Sequence, residues 1–208
     1  MIYKNSAVFD LETTGLDRQK DTILELAVLR IRNGYITGSY HELINPGRPI
    51  PPEITALTGI TEEMTADCPP LRDVLLRFMT IIDRQTLLIG HNISFDLGFL
   101  DQKHRELWGV GIHHSFLDTR ALCIKRFPYK SHKLEDVCKY LDIKHQGAHR
   151  AFQDVLATWE VAKRLWDEGA IADSNEGMAW YVNRILHYRK YAHDQPFVPE
   201  HGRLELIS

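Results

Sequence analysis

Two carboxylates inside an apolar stretch constrain this chain more than any other feature. The segment Ala7-Val8-Phe9-Asp10-Leu11-Glu12 is apolar at its start and is followed by the turn residues Thr13-Thr14-Gly15, so residues 6–11 read as a strand. Side chains two apart on a strand share a face. Asp10 and Glu12 therefore stand side by side, with Phe9 and Leu11 on the opposite face. Neighbouring carboxylates repel and are costly to hold near a core. A hard divalent cation removes that repulsion and prefers oxygen ligands. A solvent-facing strand edge tolerates the pair without a cation. The pair alone leaves both readings open.

The rest of the chain supplies a frame for that strand. Residues 22–31 are rich in Ile, Leu and Val and read as a second strand. Asn33-Gly34 is a hairpin signal, and residues 35–44 form the returning strand. After a Pro/Gly-rich loop over 46–52 come a short helix at 53–57 and a helix with apolar spacing at 71–82. Short strands at 86–89 and 115–117 flank a helix at 94–107. Helices at 119–125 and 133–140 follow, then the strongest helical pattern, over 149–167. Strands first, then strands alternating with helices, specify an α/β domain with a mixed sheet. The expected organisation is one domain over 1–170. Residues 171–208 form a helix (176–190) and a tail that packs on the domain or docks a partner.

Three more residues join the pair. Asp96, in Gly90-His91-Asn92-Ile93-Ser94-Phe95-Asp96, follows a short strand on the first turn of a helix. That is where open α/β sheets hold ligands. Asp154, in His149-Arg150-Ala151-Phe152-Gln153-Asp154, starts the strongest helix amid apolar neighbours. Read alone, it is a helix N-terminal charge favoured by the macrodipole. His149, five residues earlier, cannot share its helical face and reads as a loop residue able to swing over the site. A neutral imidazole is a suitable general base near neutral pH. Glu25, an acid inside an apolar strand, reads as structurally paired.

Four segments together resemble one family, the DEDDh (DnaQ-like) 3′–5′ exonucleases, which include the proofreading subunit of bacterial replicative DNA polymerase and ribonuclease T. They are residues 8–16 (Val-Phe-Asp-Leu-Glu-Thr-Thr-Gly-Leu), 90–100, 149–154, and the loop 52–61 (Pro-Glu-Ile-Thr-Ala-Leu-Thr-Gly-Ile-Thr). The resemblance spans about 6–165 and has no departure at the five core positions.

The resemblance implies a ribonuclease H-like fold: a mixed five-stranded sheet, the first three strands antiparallel, flanked by helices. It implies two Mg²⁺ or Mn²⁺ ions. Asp10, Glu12 and Asp154 hold the one that carries the attacking water, Asp10 bridges to the second, and Asp96 contributes through water. His149 takes the proton. In that pattern the main chain near Thr13 binds the terminal nucleotide and Leu16 wedges between bases. A turn with one buried Leu is the alternative for Leu16. His91 and Asn92 face the scissile phosphate or sugar, unless Asn92 caps the following helix. Phe95 and Phe99 are a same-face pair, with core packing expected for at least one and base stacking open to the other. The implied substrate is the 3′ end of single-stranded DNA or RNA. The product is nucleoside 5′-monophosphates. The alternatives are an RNA-trimming relative and a binding module without catalysis. A polymerase or other protein is a possible partner, and monomer and homodimer both remain open.

Composition fits this reading. Net charge is −3, so no overall field attracts nucleic acid. Residues 120–150 nevertheless carry eight Lys/Arg against three acids, either a basic face or a solvated helical surface. Three cysteines without a CxxC pair argue against a disulfide framework or a zinc site and fit a reducing, cytoplasmic setting. No secretory signal and no run of about 18 apolar residues is present, so no membrane association is expected.

Overall fold

The structure, a computed structural model, describes residues 4–145 and 147–168. The helix and tail expected over 171–208 lie outside the described residues.

The first strand, β1 (Asn5–Thr13), runs longer than its apolar segment because the antiparallel ladder to the next strand continues past it at both ends. β2 (Ile23–Arg32) joins it antiparallel, placing Asp10 opposite Ala27 and Glu12 opposite Glu25. The Asn-Gly turn forms as its residues require: Asn33 and Gly34 both take positive φ, 52° and 86°. It returns the chain as β3 (Tyr35–Leu43), an antiparallel and largely exposed edge strand. α1 (Pro52–Thr58) and the four-residue α2 (Glu62–Thr65) follow. α2 has no apolar period to announce it; Thr61 starts it by accepting a hydrogen bond from the Met64 amide.

α3 (Leu71–Ile81) carries the chain over to β4 (Leu87–Gly90), which lies parallel to β1 with Val8 opposite Ile89. α4 (Ser94–Trp108) crosses to β5 (Phe116–Asp118), parallel to β4. The sheet order is β3-β2-β1-β4-β5, the expected mixed five-stranded sheet with three antiparallel strands first. α5 (Thr119–Arg126) and α6 (Leu134–Tyr140) lead to α7 (Ala151–Asp167). α7 starts two residues later than its pattern suggests, because His149 adopts φ 64° and Arg150 is the N-cap.

β1 is the central strand, and Val8, Phe9, Leu26, Val28, Leu88 and Ile89 beside it are buried. Phe9 meets Phe78 of α3, with ring centroids 5.7 Å apart. α7 lies across β1 and β2 and buries Val155, Trp159, Val161 and Leu165. Its first turn thereby comes over the face of β1 that carries Asp10 and Glu12. Among the described residues no helix is long and apolar enough to cross a membrane.

Candidate active site

Asp10 and Glu12 of β1 and Asp154 of α7 each offer an oxygen within 4.8 Å of the others. The first strand and the last helix of the described chain meet here because α7 packs across β1. The Leu11 amide donates to Asp96 Oδ1 at 3.1 Å, so the first turn of α4 holds the fourth carboxylate against the same strand. Burial pushes the Asp10 carboxyl well above the usual range, and the Asp96, Asp154 and Glu12 charges add to it. Burial, then Asp154 and Glu25, raise Glu12 to about 8. Asp154 is also raised, first by burial, against a hydrogen bond from His145. Crowded, partly desolvated carboxylates are the donor set that a hard divalent ion fits. The cluster can hold such an ion through Asp10, Glu12 and Asp154.

A pH dependence follows for the metal-free protein. Above its ordinary value of 4.5 the unfolded chain ionises Glu12, while the folded chain holds that proton until the pH passes about 8. The folded state binds more protons, so stability falls as pH rises through this window. In EDTA the melting temperature is expected to fall by several degrees from pH 6.5 to 8.5. Glu12→Gln flattens the decline, and added Mg²⁺ or Mn²⁺ reverses it. A wild-type melting temperature that holds or rises across the window contradicts the crowding.

His149 stands at the rim. Its backbone N–H donates to Asp154 Oδ2 at 3.2 Å, and its side chain is exposed to solvent. The left-handed conformation makes this possible: it bends the chain so that amide 149 points back at the helix it precedes. The histidine that bonds Asp154 through its ring is a different one. His145 Nε2 donates to Asp154 Oδ1 at 2.6 Å. Sequence reasoning missed His145, one of eleven histidines, because only the loop after α6 brings it to Asp154.

Glu25 is the structurally paired acid that its apolar surroundings suggest. It is fully buried, and it accepts from Arg150 Nε and a terminal guanidinium nitrogen, His41 Nε2 and the Ala151 amide. Burial opposes its ionisation, but these hydrogen bonds more than offset that and hold it at about 2. The network ties the N-terminus of α7 to β2 and so sets where Asp154 falls. Glu25→Gln keeps the shape but removes the charge facing Arg150. Because Arg150 is 36% exposed, the cost belongs below that of a fully buried pair, about 2 kcal/mol. The expected drop in melting temperature is about 4–8 °C. A wild-type melting curve for Glu25→Gln excludes the tie.

The remaining sequence-predicted residues divide clearly. Thr13 is buried at the end of β1, with its hydroxyl on the Gly15 carbonyl at 2.6 Å. Leu16 is 84% exposed, not the buried Leu of an ordinary turn. The turn carrying it needs glycine at 15: an added Cβ would lie 2.7 Å from the carboxylate carbon of Asp21, which binds the Thr14 hydroxyl and the Asp17 amide. His91 donates from Nε2 to the His132 carbonyl at 2.8 Å, and Nδ1 accepts from Thr119 at 2.9 Å. Burial lowers its pKa to about 4. Asn92 is exposed at φ 65°, with its backbone N–H donating to Asp118 Oδ1 at 2.9 Å. It does not cap α4; Ile93 occupies the N-cap position without a side-chain bond. The Phe95 and Phe99 rings lie 5.1 Å apart, tilted by 52°; Phe99 is core and Phe95 half-buried.

Comparisons with known proteins bear on the family and the fold of the whole chain. The family model described as "RNase_T: Exonuclease" matches residues 7–162. A DNA polymerase III of the PolC type from Bacillus subtilis is 40% identical over 165 residues, 78% of this chain. This chain spans only 11% of that polymerase. A solved structure of exonuclease X in complex with 5′ overhanging duplex DNA aligns with TM-score 0.62 and 25% identity, over 85% of this chain and 98% of that one. The nuclease domain of 3′hExo, a DEDDh family member bound to rAMP, aligns with TM-score 0.68 at 16% identity, over 81% of this chain and 94% of that one. At that identity the likeness speaks for the fold, which is ribonuclease H-like. With the family model covering three-quarters of its length, this chain belongs to the RNase T family of exonucleases, of the DEDDh, DnaQ-like kind.

Proposed function

We propose that residues 1–170 form a 3′–5′ exonuclease domain that removes nucleoside 5′-monophosphates from the 3′ end of single-stranded DNA. The observation that carries this is the convergence of Asp10, Glu12 and Asp154 within 4.8 Å, with Asp96 against the same strand and His149 at the rim. Two Mg²⁺ or Mn²⁺ ions, held by Asp10, Glu12 and Asp154 with Asp96 assisting, would supply electrophilic stabilisation of an in-line displacement. The carboxylates offset the cation charge and fix its place. A ring nitrogen of His149 accepts the proton of the attacking water, its exposure leaving it free to turn toward the scissile phosphate. Leu16, projecting into solvent from a turn rigidified by Asp21, wedges beside the terminal base, while the main chain near Thr13 receives that nucleotide. His91 and Phe99 act from behind, shaping the floor on which Asn92 and Phe95 meet the substrate. The likeness to PolC-type polymerases supports a replication setting, with the domain editing 3′ ends within or beside a polymerase in the cytoplasm.

The test is a panel of 5′-labelled single-stranded DNA, blunt duplex DNA and single-stranded RNA, each with Mg²⁺ and with EDTA. Single-stranded DNA is expected to be degraded fastest, and only with metal. Preferential digestion of RNA would move the chain to the RNA-trimming branch, and an inert protein that still binds DNA would make it a binding module.

A further inference from the structure

One basic and aromatic feature beside the site is not used by that mechanism. α5 ends in Lys125 and Arg126, and the chain returns to α6 through Phe-Pro-Tyr-Lys-Ser-His-Lys, residues 127–133, a segment without an acid. Eight residues of helix carry α5 about 12 Å from the end of β5, and the loop then comes back to the site. It is held along its course. His132 Nε2 donates to the Phe127 carbonyl at 2.8 Å, and Tyr140 Oη donates to the Ser131 carbonyl at 3.2 Å. The His132 carbonyl accepts from His91, the residue that follows β4. The loop is thereby fastened to the same strand end that leads into Asp96.

The loop's side chains form a platform. Phe127 meets Tyr140 edge-on at 5.1 Å. Lys130 Nζ lies 4.5 Å from the Tyr140 ring centre, and Arg126 lies 5.5 Å from that of Phe127. Of the neighbouring acids, Glu135 pairs with Lys139, Asp136 accepts from Ser131 of the loop and lies 3.7 Å from Lys139, and Glu168 lies 3.7 Å from Arg126, so none of these pairs with Lys130 or Lys133. Tyr129 is 99% exposed. Folding gives no reason for a fully solvated ring, since tyrosines normally bury their body and wet only the hydroxyl. An exposed aromatic ring among cations is how proteins hold single strands without sequence preference.

We infer that residues 127–133 guide the substrate strand upstream of its 3′ end: Tyr129 stacks on a base, and Lys130 and Lys133 bind phosphates. This rests on the exonuclease reading and adds a second point of grip beyond the terminal nucleotide. The test compares wild type, Tyr129→Ala and Lys130→Ala/Lys133→Ala on a 20-nucleotide single-stranded DNA and on a dinucleotide, together with anisotropy binding of the 20-mer in EDTA. Each variant is expected to raise KM for the 20-mer about tenfold, because base stacking or phosphate pairing is removed, with kcat unchanged. Dinucleotide hydrolysis stays at the wild-type rate. The lysine variant also flattens the salt dependence of binding, by about 1.4 in the log–log slope for two phosphates. Wild-type KM and affinity in the variants overturn the guide and leave the patch to a protein partner. An equal defect on the dinucleotide overturns it too, by making the loop a support for His91. If wild type binds the 20-mer without cleaving it and the variants bind weakly, the guide stands and the exonuclease reading fails. No binding and no cleavage by wild type overturns both.

Discussion

Asp154→Asn is expected to lower kcat at least about a thousand-fold, on the order of 4 kcal/mol of transition-state stabilisation, while leaving the metal-free fold as stable as wild type or more so. The two halves of that result come from one geometry. Asp154 is the member of the carboxylate cluster that reaches β1 from a different element, so it closes the cation site that Asp10 and Glu12 begin. Asparagine keeps one acceptor oxygen, for the His149 amide that holds Asp154 Oδ2 at 3.2 Å, and places its amide nitrogen at His145 Nε2, 2.6 Å from Asp154 Oδ1, where the ring accepts in its other tautomer. It also removes a charge that raises the Asp10 and Glu12 carboxyls. If Asp154 were only a helix N-terminal charge, its loss would cost about 0.3–1 kcal/mol of stability and leave turnover alone. Comparing kcat with the melting temperature in EDTA separates these accounts. A variant with wild-type turnover ends the assignment.

His149→Asn is expected to lower kcat by about a hundred- to ten-thousand-fold, the usual worth of a positioned general base, with no change in the metal concentration giving half-maximal activity. The choice of asparagine matters. Position 149 has φ 64°, a region that non-glycine residues enter at a cost and that asparagine tolerates best among them. Asparagine therefore preserves the backbone that aims amide 149 at Asp154 and removes only the ring. The side chain is exposed, so stability should stay within about 0.5 kcal/mol of wild type. A kcat within threefold of wild type assigns the proton transfer elsewhere, with His145 the next histidine to test.

The sequence announced those elements whose residues state their own conformation. The Asn33-Gly34 hairpin, the strand alternation around Asp10 and the apolar period of α3 and α7 all reappear within a few residues of where pattern places them. The motif acids converge because each lies at a strand end or a helix start, which pattern locates well. What pattern leaves out depends on packing between distant segments. Nothing local says that Glu25 faces Arg150, 125 residues on, since the partnership arises from α7 crossing β2. His145 reaches Asp154 only through the course of one loop, and His149 takes a backbone conformation its residue type seldom adopts. Leu16 reads as either buried or projecting until the Asp21 bonds around Gly15 turn it outward. The basic run over 120–150 also splits once folded: Arg150 pairs with the buried Glu25 and Lys139 pairs with Glu135, while Lys130 and Lys133 are on an exposed loop.

The most direct measurement is the time course of products from a 5′-labelled single-stranded DNA incubated with the purified protein and Mg²⁺, with released mononucleotides identified by mass. The account predicts a ladder shortening one nucleotide at a time from the 3′ end, nucleoside 5′-monophosphates as the released species, and no products in EDTA. Internal cuts, 3′-phosphorylated nucleotides, or undiminished cleavage without divalent metal would contradict it.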